Sequence, residues 1–123
     1  MMMSINAYRK TTVAAETPQQ MEQRALSEAI VRLRTAQDQG LKGPPLVAAL
    51  EFNRELWRLL ANDCLGKGNG LPAALRAAIV SIALWVQRHS SDVAAGRESV
   101  SDLIDVNQEI ARGLAAQSTL RAA

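Results

Sequence analysis

Few side chains in this sequence could do covalent or metal chemistry: there is one cysteine, Cys64, and one histidine, His89. A catalytic thiol needs a base to hold it as thiolate, and His89 is the sole candidate. No third residue stands out as an orienting partner, so the plainer account is a buried, inert cysteine and a helix-terminal histidine. One cysteine cannot form an intrachain disulfide, and one cysteine with one histidine falls short of a structural zinc site. Asp102, Asp105 and Glu109 share part of one helix face. Hard-cation binding draws oxygens from more than one element, and carboxylates near a helix start are explained by the positive end of its dipole. The run Gly66-Lys67-Gly68-Asn69-Gly70 lacks the order of a Walker loop and joins two helical patterns, where a helix cap and turn suffice. The expectation is therefore a protein with no catalytic residues, no metal and no cofactor.

Two amides are more informative. Asn53 and Asn107 each fall inside an apolar stripe, where an amide costs stability unless its donors and acceptors are paired. Either they bond each other's helices and set the register, or they grip the backbone of a partner.

The elements that hold these residues read as helices. Thr17-Pro18-Gln19-Gln20 has the pattern of a capping box with proline at the first helical position. Met21, Ala25, Ala29, Leu33 and Ala36 follow at helical spacing, opposite an Arg24, Glu28, Arg32 ladder, and Gly40 with Gly43-Pro44-Pro45 ends the segment. A second helix over residues 45–64 has one polar strip and an apolar face too wide for a single neighbour to cover. A third, over 72–89, is apolar on two sides. Residues 90–96 read as a turn region. Ser99 with Asp102 marks a box-like start to a last helix, whose stripe is Leu103, Val106, Ile110 and Leu114. No period-two run of useful length occurs. The expected fold is all-α: a compact bundle of four main helices over 17–116, an N-terminal arm over 1–16 with room for a short helix at 7–13, and a frayed tail over 117–123.

Composition narrows the classes. With 123 residues the chain is long enough for one modest core. Aromatics are only 3%, so that core must be aliphatic and alanine-filled. Fourteen basic residues against twelve acidic leave +2, with no block of either sign to make a polybasic arm. A nucleic-acid surface concentrates its charge beside stacking aromatics, and here the arginines are scattered. The N-terminus lacks an apolar stretch of the kind a secretory signal needs, and the most apolar window, 77–86, is far short of the roughly 20 residues of a membrane span. A cytoplasmic protein with no membrane association is expected.

An ordered set of segments carries a resemblance. It comprises Thr17-Pro18-Gln19-Gln20 with Glu22 and Leu26, then Ala49-Leu50-Glu51-Phe52-Asn53-Arg54-Glu55-Leu56-Trp57. Asn69-Gly70-Leu71-Pro72, Leu75-Arg76 and Ile79-Val80-Ser81-Ile82-Ala83-Leu84-Trp85-Val86 follow. Leu103-Ile104-Asp105-Val106-Asn107, Ile110 and Gly113-Leu114 close it. From Tyr8 to Leu114 the chain resembles the flagellar biosynthesis regulator FlaF of alphaproteobacteria, departing from it at Glu109 and at Lys67-Gly68. The resemblance implies a non-enzymatic cytoplasmic protein that promotes flagellin synthesis and export, opposes the translational repressor FlbT and binds flagellin as a secretion chaperone. On that expectation Phe52, Trp57, Val80, Leu84, Trp85 and Ile104 supply an apolar groove for flagellin, with Asn53 and Asn107 as polar anchors. The competing class is an RNA-associated regulator of flagellin messenger, acting with or against FlbT, whose only physical support is the scattered basic residues.

Overall fold

Thr17 opens the first helix in the way its spacing predicts. Its Oγ1 accepts the N–H of Gln20 at 3.1 Å, while Gln20 Oε1 accepts the N–H of Thr17 at 3.0 Å, so two of the helix's orphan donors are satisfied reciprocally. The computed structural model describes Ser4, Ile5 and residues 16–122. Helix α1 (Pro18–Asp38) ends in a Schellman turn: Leu41 N–H reaches the Ala36 carbonyl and Gly40 N–H the Gln37 carbonyl, with Gly40 at φ +59. Helix α2 (Pro44–Leu65) starts on two prolines, whose missing N–H groups cost nothing in a first turn. Helices α3 (Ala73–Ala94) and α4 (Ser101–Ala122) complete the bundle. Among the described residues there are four long helices and no strand, as the 3.6-residue periodicity predicts.

Three boundaries differ from the sequence reading. Helix α3 runs through Ser90-Ser91-Asp92 to Ala94, because Ser90 and Val93 extend the buried row of Ile79, Ala83 and Val86; that burial overrides the poor helix propensity of the serines. A second Schellman turn then stops it, with Arg97 N–H on the Asp92 carbonyl and Gly96 N–H on that of Val93. Ser99 does not form a box with Asp102: its hydroxyl accepts the N–H of Ser101, and the Val100 carbonyl accepts the first helical N–H groups. Helix α4 continues past residue 117, where a frayed tail was expected. Gln23 of α1 holds it there, donating to Ser118 Oγ at 2.7 Å and to the Leu114 carbonyl at 3.4 Å. The expected arm helix at 7–13 lies outside the described residues. Of that arm, Ile5 is buried beside Glu55, Arg58, Leu59 and Asn62 of α2.

Short connections make successive helices antiparallel neighbours. Helix α2 packs closely on α1 and α3, and α1 packs closely on α4; α3 and α4 meet only sparsely, so one edge of the bundle is loosely closed. Leu26, Leu33, Leu50, Leu56, Trp57, Leu60, Ile79 and Leu103 fill the centre.

Candidate functional site

The eight residues expected to form one groove separate into two groups. Phe52, Asn53, Trp57, Ile104 and Asn107 are all buried inside the bundle, between 0% and 5% exposed. They are core, and no partner can reach them without unfolding α2 or α4. The two amides bond each other. Trp57 donates its indole N–H to Asn107 Oδ1 at 2.9 Å, and Asn107 Nδ2 donates to Asn53 Oδ1 at 2.7 Å. This chain crosses the bundle from α2 to α4, two helices that do not otherwise pack together closely. It fixes their register, and it is the first of the two readings of these asparagines. Arg32 lies over the Phe52 ring at 4.0 Å and closes that side of the core.

Val80, Leu84 and Trp85 lie at the surface of α3, but on different flanks. Val80 and Leu84 share the α2-facing flank with Gln87 and Ser91. There Arg54 donates to the Gln87 carbonyl at 2.7 Å and to Ser91 Oγ, and Arg58 donates to Gln87 Oε1 at 3.1 Å. Leu84 projects outward from this seam, 60% exposed. Trp85 occupies the opposite flank, stacked on His89 with ring centroids 4.5 Å apart. The single groove expected from the sequence is therefore replaced by two separate surfaces, because a helical turn sets neighbouring residues about 100° apart.

The Trp85 flank borders the loosely closed edge. Ala78, Ile82 and Trp85 recur there at i, i+4 and i+7, and the flank of α4 that brings Asp102 to His89 continues at the same spacing through Val106, Glu109 and Gly113. Ala78 is exposed and Ile82, Trp85, Val106 and Gly113 are half-buried, over a floor of Ile79, Ile110 and Leu114. A methyl group added to Gly113 would meet nothing within 4 Å, so this side of α4 stands clear of α3. The result is a shallow trough two helical turns long, apolar on its α3 side and mixed on its α4 side, where Glu109 is exposed between Val106 and Gly113. Ile82, Val106 and Gly113 were legible as apolar or small residues in the sequence, but which neighbour covers each flank was not.

The residues considered for catalysis do not assemble. Cys64 lines a cavity of about 40 Å³ with Leu60, Ile79, Leu114, Gln23 and Asn69, room for a few waters. Burial, and secondarily the Glu22 and Asp63 carboxylates, pushes its thiol above the ordinary range, which keeps it protonated and unreactive. His89 lies ten residues further along α3 than Ile79, roughly 15 Å of helix axis away. Asp105 and Glu109 are exposed; Asp102 is the one of the three acidic residues that approaches His89, at 3.7 Å. Four arginines are each committed to a carboxylate, Arg24 to Glu16, Arg32 to Glu28, Arg54 to Glu51 and Arg97 to Asp92. Among the described residues no helix is long and apolar enough to cross a membrane.

No curated protein and no solved structure matches this chain. A family model does: the one described as flagellar protein FlaF, which aligns with residues 4–114. The matched region takes in the Thr17 capping box, the buried Asn53–Asn107–Trp57 bridge and both flanks of the loosely packed α3–α4 edge. With all but the ends of the sequence matched, the chain belongs to the FlaF family of flagellar proteins.

Proposed function

We propose that this chain is a non-enzymatic regulator of bacterial flagellum biogenesis that promotes flagellin synthesis and export, binding flagellin as a cytoplasmic secretion chaperone. The observation that carries it is the apolar strip of Ala78, Ile82 and Trp85 along the sparsely packed α3–α4 edge, bordered on α4 by Val106, Gly113 and the exposed Glu109. Its i, i+4, i+7 spacing suits an amphipathic helix laid along the groove. Covering ~600 Å² of apolar surface at about 25 cal/mol per Å² yields about 15 kcal/mol gross, and ordering a flexible segment consumes much of it. Micromolar affinity is the expected remainder, suited to a chaperone that must release its cargo.

The test is co-purification of the full chain with flagellin, intact and truncated at either end. Association of one terminal fragment, little changed by salt, supports the proposal; no association at micromolar concentration overturns it. Binding instead to the flagellin messenger leader, weakening steeply between low and moderate salt, would favour the RNA-associated class, acting with or against FlbT.

A further inference from the structure

Where α3 gives way to α4, the fold gathers three side chains that can ligate a metal. His89 (α3), Glu98 (the connecting loop) and Asp102 (α4) each present a ligand atom, all within 4.8 Å of one another. His89 is only 8% exposed, held flat against Trp85, and its Nε2 edge faces the Ser99 carbonyl at 3.3 Å and Asp102 Oδ2 at 3.7 Å. The loop that brings Glu98 in is built rather than loose. The Asp92 carbonyl accepts N–H bonds from both Arg97 and Glu98, and the Arg97 guanidinium holds the Asp92 carboxylate at 2.8 and 3.1 Å. Arg97 is thereby spent on Asp92. Among the described residues no lysine or arginine forms an ion pair with Glu98 or Asp102.

We infer that His89, Glu98 and Asp102 form a binding site for a borderline divalent transition metal, with zinc as its representative. An imidazole nitrogen with two carboxylates selects zinc-class ions over calcium or magnesium, which prefer oxygen alone. Zinc holds nitrogen and oxygen ligands at about 2.0–2.2 Å, which sets neighbouring ligand atoms roughly 3.4 Å apart in a tetrahedron. The His89–Asp102 pair is already near that separation, and the exposed Glu98 side chain has only to swing inward. The fourth position falls to water or to the Ser99 carbonyl. Nε2 ligates only without its proton, so binding moves that proton to Nδ1 or releases it. The ion would staple α3 to α4 at the bundle's weakest edge.

The probe is zinc chloride titrated calorimetrically into tag-free, chelator-treated full-length chain. One zinc per chain in the micromolar range is expected, with a change in Trp85 emission because the indole rests on the ligating ring. Glu98→Gln and Asp102→Asn, both at exposed positions where circular dichroism should stay unchanged, should each weaken binding at least tenfold. Cobalt substitution should give visible bands without thiolate charge transfer, which separates this site from Cys64. Absence of saturable binding at hundred-micromolar zinc overturns the inference. So does stoichiometric binding that survives the two substitutions together, or calcium binding as tightly as zinc.

Discussion

Asn107 is the residue on which the centre of the bundle turns. It accepts from Trp57 and donates to Asn53, so replacing it orphans two buried polar groups at once. Each orphaned group costs about 1–3 kcal/mol. Asn107→Leu should therefore lower the unfolding free energy by about 2–4 kcal/mol in urea denaturation. Asn53→Leu should cost about half as much, because Asn53 Nδ2 is already without a partner and its removal relieves that penalty. Equal losses at the two positions would show that the bridge is not the energetic unit its geometry describes. The sequence marked both amides as anomalies in apolar stripes; that they pair with each other and with Trp57 required three side chains, two of them 50 and 54 residues from the third, to be brought together.

At the level of elements, the strong local signals held. The Thr17 box, the paired prolines of α2 and the glycine-terminated Schellman turn of α1 all act within a few residues, so their chemistry is readable in the chain. The far ends of α3 and α4 were not, because tertiary burial and the Gln23 bonds extend them beyond their propensity. Gly113 is the weak point within α4. Its added methyl would meet open space, so Gly113→Ala should raise the unfolding free energy by about 0.5–1 kcal/mol, the ordinary cost of glycine inside a helix. A loss of stability would mean that α3 closes onto α4 in solution and the trough is shut.

For the molecule as a whole, the uneven packing around the bundle separates folding from binding. Ala78→Glu and Leu84→Glu both place a charge at an exposed position of α3, and each should change stability by no more than about 0.5 kcal/mol. Only Ala78 borders the trough, so Ala78→Glu should weaken flagellin co-purification at least tenfold while Leu84→Glu leaves it intact. The reverse pattern would move the docking surface to the α2–α3 seam. Helix content, the starts of α1 and α2 and the aliphatic core follow from residue type and spacing, which are local properties that the chain carries unaided. Which apolar residues stay at the surface, and which polar ones meet, was decided by tertiary structure alone. A helix presents several faces of similar character, and only the position of its neighbours determines which of them is covered.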